Sequence, residues 1–517
     1  MKKTLFIQLE RLGDLIQTTP LLAEYRAANP DVEIHLLMLE ENRSALAGFG
    51  GVDHCHYLPQ KPVGKLNHQI DKNRDQAQPA AESLITELAL PAFDNLVNLT
   101  HGALGCWLTD RITARNKEGG IITAAGDWLW QGAWHAYLLA MLDFRDRNPF
   151  NLVDLYRAAG PGGPVDSAAR PYVAKAQQLP FTLPAGRLVA LNPGASRAQR
   201  RWPEASYAAL AMELQYQGLT PILVGASADA ETCEAVLSHL PDPIENFCGR
   251  TSVPEMAFVL AHCELLISND TGAVHIGSAV GTRCIGIYGA SAWFRETAPW
   301  GTGHLVVQAP LGADLSTISV ADLTSVVARL LNPSAVAAPM STGVTVWETA
   351  LDAEDALGGL TYHDVSDDLS TTKGFAPHFR GAFSTVLMSS SAAKATKAES
   401  SEEADALAAA AVLLEIAGIA EESLRLLDAE DATVMDALEA LTRGIDQGMR
   451  ELVATASRLP HIAPPVYWLD WVLRTTPVSG ARDLLALRVK ECTRAAQILQ
   501  TAIVLCQGER HLTAPEH

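Results

Sequence analysis

The sequence predicts an α/β fold of two Rossmann-like domains facing across a cleft, followed by a mainly helical C-terminal domain. Three observations carry this expectation. Short apolar runs end in small polar turns that open into helices. They are Leu5 to Leu9 before Leu12-Gly13-Asp14, Leu188 to Leu191 before Asn192-Pro193-Gly194, and Leu265 to Ile267 before Ser268-Asn269-Asp270-Thr271-Gly272. Strands alternating with helices in this way form parallel sheets covered on both faces. A Gly/Pro stretch, Gly160-Pro161-Gly162-Gly163-Pro164, reads as the linker between the two units. Past residue 340 the pattern changes to Ala-, Leu- and acid-rich segments with helical spacing. The expected division is residues 1–160, 161–335, a linker or irregular segment 336–400, and a helical accessory domain 401–517.

Composition fits such a chain. Its 517 residues exceed one core, hydrophobic residues make up 48% and charged residues 19%. The net charge of −20 argues against a general nucleic-acid binder, which needs clustered Lys and Arg. The eight cysteines contain no C-x-x-C pair, a poor disulfide framework and a poor zinc site. The apolar run after Met1-Lys2-Lys3 is too short for a signal peptide and is interrupted by Gln8, Glu10 and Arg11. No stretch reaches the roughly 18–20 apolar residues of a membrane span, so a cytoplasmic protein is expected.

In the first domain, Leu5 to Leu9 is the first strand, Leu12-Gly13-Asp14 the turn, and Leu15 to Ala28 a helix ended by Asn29-Pro30. Asp14 at the helix start reads as an N-cap by spacing. Pro20 is expected to kink or end the first turns, near Gln17, Thr18 and Thr19. Strands follow at Glu33 to Leu39 and at Asn95 to Leu99, the second running into Thr100-His101-Gly102. Ligands of parallel sheets sit beyond the carboxyl ends of the strands, which is where Gly13, Asp14 and His101 fall. The polar stretch 60–92 reads as a mobile excursion, and Trp107, Trp128, Trp130 and Trp134 as core.

In the second domain, the small loop Asn192-Pro193-Gly194-Ala195-Ser196 lets a ligand's phosphates approach the backbone. Arg200 and Arg201 follow within reach, and Trp202-Pro203 opens a helix to Tyr216. Pro221 to Gly225 is a strand leading to Asp229 and Glu231. The turn at Gly249-Arg250-Thr251 precedes a helix from Val253 to His262. The turn after Ile267 leaves free backbone N–H groups at a helix start, suited to a phosphate, while Asp270 or Thr271 can also cap that helix. Cys284 to Gly289 is a further strand, Ser291 to Gly301 a loop at the cleft, and Val320 to Leu331 a closing helix.

Taken in order, these three clusters resemble glycosyltransferase family 9, the bacterial heptosyltransferases, over residues 1–335. The resemblance implies a GT-B fold with the acceptor on the first half and a nucleotide sugar on the second. It implies an inverting transfer of a heptose from ADP-heptose to an acceptor hydroxyl, a lipopolysaccharide core sugar, with Asp14 as general base. Asn192, Gly194, Ser196, Arg200, Gly249, Thr251, Asp270, Thr271, Gly272 and His275 would hold the donor. Asp229 or Glu231 would touch the nucleoside, and Gly13, Thr18 and His101 the acceptor. No Asp-x-Asp motif is present, so no metal and no further cofactor is expected; Arg200 and helix dipoles would meet the diphosphate charge.

The tail has no counterpart in those motifs. Ser389 to Thr396 reads as a small-residue linker, and Glu402 to Ala440 holds eleven acids against one base, Arg425. This composition suits docking or self-association, with recognition of a protein acceptor as the alternative; for the protein as a whole, peripheral association with the inner membrane face is a further expectation. Two rivals remain at this point. A dinucleotide oxidoreductase is opposed by Glu10-Arg11-Leu12-Gly13-Asp14, which lacks the glycine fingerprint. A non-catalytic scaffold working through the acidic tail is opposed by Asp14, Arg200 and Asp270.

Overall fold

The structure is a computed structural model. It describes residues 2–47, 49–124, 126–141, 145, 148–161, 179–289, 294–310, 312–332, 340–352, 357, 359–366, 401–428, 435–456, 463–475 and 481–513. Apolar runs at strand length place β1 (Lys3–Gln8), β2 (Glu33–Leu39), β3 (His54–Leu58), β4 (Phe93–Asn98), β5 (Ala114–Ile122) and β6 (Trp128–Gln131) in one sheet. Its order is β3-β2-β1-β4-β5-β6, parallel except for β6. The helices of this half are α1 (Leu12–Ala28), α2 (Gln60–Leu88), α3 (Ala103–Arg111), α4 (Ala133–Ala140) and α5 (Leu152–Ala159).

The second sheet contains β7 (Leu188–Asn192), β8 (Thr220–Leu223), β9 (Glu245–Asn246), β10 (Leu265–Asn269), β11 (Arg283–Tyr288), β12 (Leu305–Gln308), β13 (Thr345–Leu351) and β14 (Leu360–Asp364). Its order is β14-β13-β12-β11-β10-β7-β8-β9, and β13 runs against the other strands. It is flanked by α6 (Glu204–Tyr216), α7 (Ala230–Ser238), α8 (Val253–Ala261), α9 (Gly272–Ala279), the single turn α10 (Phe294–Thr297) and α11 (Val320–Leu331). In each sheet the chain reverses its direction of travel once, between β1 and β4 and between β7 and β10. These switch points open the crevices in which parallel sheets bind ligands.

Four expectations change. The segment 336–400 is not all linker: β13 and β14 extend the second sheet to Asp364, beyond the boundary expected at 335. Their β-branched and aromatic residues, Thr345-Val346-Trp347 and Thr361-Tyr362, suit a pleated surface. The polar stretch after residue 60 is no loose excursion but α2, which buries Val63, Leu66, Ile70, Ala77 and Ala81 along one helical stripe. Pro20 does not end α1, because the Ile16 carbonyl that its missing N–H abandons accepts the Thr19 hydroxyl at 2.7 Å. Among the four tryptophans, Trp107, Trp130 and Trp134 are buried, whereas Trp128 is 39% exposed. Of the linker expected at 160–164, residues 162–164 lie outside the described residues, as does all of 389–396.

The C-terminal region forms α12 (Ser401–Asp428), α13 (Met435–Ala456), α14 (Ala463–Thr475) and α15 (Ala481–Thr513). The helix pair α12 and α15 packs along its length through small residues, Ala409, Ala410, Ala495 and Ala502 among them. Helix α14, with Trp468 fully buried, packs against α4 and β6 of the first half. Among the described residues no helix is long and apolar enough to cross a membrane.

One buried charge network ties the halves together. Arg157 of α5 donates from Nε to Glu24 of α1 at 2.8 Å and from Nη1 to the Leu357 carbonyl at 2.9 Å. Asp154, one turn earlier, accepts from the Trp300 indole at 3.0 Å and from the Leu360 amide at 2.8 Å. Asn151 caps α5 by accepting from Val153 and donates to the Ala298 carbonyl at 3.0 Å. Helix α5 therefore belongs by sequence to the first half and is fastened by its polar side chains to the second.

Candidate active site

The start of α1 faces the start of α9. A Cβ built on Gly13 meets the His275 ring at 3.1 Å, and the Gly272 Cα lies 3.9 Å from the same point. Both helix N-termini thus converge on one space between the switch points. A side chain at Gly13 would press on the His275 ring, so glycine there keeps the approach close.

Asp14 lies at this junction, half-buried, but it is not the N-cap. Arg11 takes that place, and the Asp14 carboxylate accepts the Arg11 backbone N–H at 3.2 Å from the third helical position. Burial pushes its pKa up to about 6, Glu10 adds to the rise, and His101 opposes it. His101 stands beside it with Nε2 3.7 Å from Glu10. Thr18, expected on the acceptor side, is instead fully buried: its hydroxyl donates to the Asp14 carbonyl at 2.8 Å and accepts from Gln8 at 3.0 Å. It shapes the first turns of α1 and presents nothing to the cleft.

On the second half, β7 and β10 bring Asn192 and Asp270 side by side. Asn192 donates from its side-chain amide to Thr271 Oγ1 at 2.9 Å and to Ser268 at 3.2 Å, its buried Oδ1 has no hydrogen-bond partner, and its backbone carbonyl accepts the Tyr207 hydroxyl at 3.1 Å. Thr271 caps α9 by accepting from the Ala273 N–H. Asn269 locks the loop after β7, donating to the Pro193 carbonyl at 2.8 Å and accepting from the Trp202 N–H at 3.0 Å. Gly194 is needed because a Cβ there would lie 2.1 Å from the Asp229 Cγ, and Asp229 is itself held by the Ala226 N–H. Gly249 has a φ of +69° and turns close against Ser227, leaving Thr251 at the entry to α8. Ser196 and Glu231 are exposed, and His275 is buried with its pKa lowered to about 4 by desolvation.

Arg200 reaches Asp270, with Nη1 2.9 Å from Oδ2. Burial raises the Asp270 pKa and Arg200 opposes the rise. A residue pair that sequence reading passed over completes the centre. Arg145, from the first half, grips the buried Glu296 of α10 with both ends of its guanidinium, Nε lying 2.8 Å from Oε2. Its charge is felt by Asp14 and Asp270 alike. Glu296 lies in the stretch expected as a cleft loop, of which residues 290–293 are outside the described residues. Arg145 stood in no motif, so no sequence signal marked it.

Two parallel α/β halves that meet at the ends of their switch points make a GT-B protein, the class shared by many nucleotide-sugar transferases. Residues 165–316 match the model of glycosyltransferase family 9 (heptosyltransferase), so the second half carries a domain of that family. Lipopolysaccharide heptosyltransferase 3 of Escherichia coli K12 is 23% identical over 288 residues, covering 54% of this chain and 80% of its own. Lipooligosaccharide heptosyltransferase 2 of Campylobacter jejuni is 29% identical over 128 residues, covering 24% of this chain. The chain spans 32–40% of the length of the first three curated relatives it matches. A solved E. coli heptosyltransferase, WaaC with ADP-2-deoxy-2-fluoro heptose, superposes with a TM-score of 0.47 at 19% identity, over 63% of this chain and 98% of that one.

Proposed function

We propose that this chain is an inverting glycosyltransferase that moves a heptose from ADP-heptose to an acceptor hydroxyl, with a lipopolysaccharide core sugar as the acceptor class. The observation that carries the reading is the placement of Asp14, a carboxylate with a raised pKa, against the phosphate-ready start of α9. The family 9 match of the second half supports the donor class.

In this reading the donor diphosphate lies on the N–H groups of α9 and the loop after β7. Asn192 and Thr271, hydrogen-bonded to each other at 2.9 Å, line that seat. Arg200 is redirected from Asp270 to a phosphate oxygen as the leaving group gains charge. Asp14 takes the acceptor proton while the hydroxyl oxygen attacks the anomeric carbon from the face opposite the diphosphate. The C–O bond to the diphosphate breaks, configuration inverts, and the proton stays on Asp14. Closure of the two halves excludes water from the junction.

Three results test this. Transfer of radiolabelled heptose from ADP-heptose to a heptose-deficient lipopolysaccharide should be saturable, and its absence with every core acceptor tried would remove the acceptor assignment. Because the base works ionised, kcat/KM should rise about tenfold per pH unit below pH 6 and level off above about pH 7. A flat profile from pH 5 to 8 would count against Asp14. Arg200→Ala should raise the donor KM about ten- to a hundredfold, the worth of one hydrogen bond to a charged group, about 1.5–3 kcal/mol. Donor titration by calorimetry reads this directly, and unchanged affinity would separate Arg200 from the phosphates.

A further inference from the structure

At the other end of the first sheet from the cleft, four titratable side chains stand on one face. Glu33 and His35 alternate along β2, and His54 and His56 alternate along β3, with His35 in register with His54. Cys55 and Tyr57, between and beyond the two histidines, point to the opposite face by the same alternation. Glu33 is the first residue of β2, whereas the active-site turns follow the last residues of their strands. The cluster is therefore separate from the transfer site.

Its geometry is that of converging ligands. His35 Nε2 lies 2.9 Å from Glu33 Oε1 and His54 Nε2 lies 3.0 Å from the same oxygen. The ligand atoms of the three residues all fall within 4.8 Å of one another. The His35 and His54 rings are stacked with centroids 4.6 Å apart, and Phe93 closes the inner side edge-on at 5.0 Å. His35 is 3% exposed, while the His54 side chain is 53% exposed and opens the cluster to solvent. Behind them, His35 Nδ1 is 2.9 Å from His56 Nε2.

We propose that Glu33, His35 and His54 bind one divalent cation of the zinc type, with His56 as the outer partner that orients His35. Two imidazole nitrogens and one carboxylate oxygen are a zinc donor set, and three protein ligands leave a fourth position for water. In a tetrahedral site with bonds of about 2.0–2.1 Å, neighbouring donors sit about 3.4 Å apart. The two hydrogen-bonded contacts need to open by only a few tenths of an ångström, a movement the exposed His54 can supply. On binding, the His35 proton moves to Nδ1 and is donated to His56, leaving the Nε2 lone pair for the metal. That is the second-shell pattern which fixes a ligating histidine. The ammonium of Lys3, 3.5 Å from Glu33 Oε1, supplies positive charge beside that carboxylate. A bound ion would displace it and staple β3, the edge strand, to β2.

The test uses the full chain without an affinity tag, stripped with chelator and titrated with zinc chloride by calorimetry, with metal content read by mass spectrometry. One zinc per chain is expected, with a higher thermal midpoint for the loaded protein. His54→Ala, at an exposed position, should lower affinity at least tenfold and abolish the rise in midpoint without changing the midpoint of the stripped chain. Lys3→Met should tighten binding. Lack of stoichiometric zinc binding, or equal affinity in the parent, His54→Ala and Glu33→Gln, would reduce the cluster to hydrogen bonding and overturn the proposal.

Discussion

Replacing Asp14 by Asn should lower the transfer rate by about 10²–10⁴-fold, the usual contribution of a general base, with donor affinity nearly unchanged. The fold should survive, for a reason that lies in the pKa itself. A carboxyl whose pKa is raised from 3.8 to about 6 on folding contributes stability below pH 3.8 that is lost as pH rises toward 6. At neutral pH the ionised Asp14 is thus a cost to the folded state that asparagine removes. Single-turnover kinetics beside a melting curve at pH 7.5 separates the two effects. An inactive variant with an unchanged or higher midpoint fits the base assignment; an inactive variant that melts early points to a structural role.

Arg157→Ala should destabilise the protein by about 3–5 kcal/mol, the cost of breaking a buried ion pair by removing one partner. Arg157 is 1% exposed, and its loss leaves Glu24, 4% exposed, without the cation that it faces in the core. The same change frees the Leu357 carbonyl from its donor, weakening the hold of α5 on the second half. Urea denaturation of the full chain measures this, and a loss under about 1 kcal/mol would show that the network carries little of the stability.

The turns of the candidate site were readable because they obey local rules that tertiary packing does not override. An apolar run, a small polar turn and a helix of small residues at Leu265–Ala279 can hardly be anything but a strand feeding an anion-ready helix, and β10 and α9 are just that. The meeting of Gly13 with Gly272 was beyond reach, since it depends on how two halves 259 residues apart along the sequence pack together. Arg145 and Glu296 were invisible for the same reason. Helix α2 was misread because its buried residues are diluted by polar neighbours; composition hid a periodicity that was there. The cluster at Glu33, His35, His54 and His56 shows a further limit. A search for C-x-x-C pairs and Asp-x-Asp motifs asks for ligands close in sequence on one segment. A parallel strand pair instead supplies them at alternate positions on two segments.

The hairpin formed by β13 and β14 bears on where a shortened chain can end. A fragment stopped at 335, where the family motifs run out, would bare β12 as an edge of four apolar and amide side chains, Leu305 to Gln308, all buried in the full chain. Such an edge invites pairing with other copies. It would also lose Leu357 and Leu360, the partners of Arg157 and Asp154. The smallest fragment that keeps the second sheet covered therefore extends at least to Asp364, and aggregation of shorter fragments would reflect an uncovered strand.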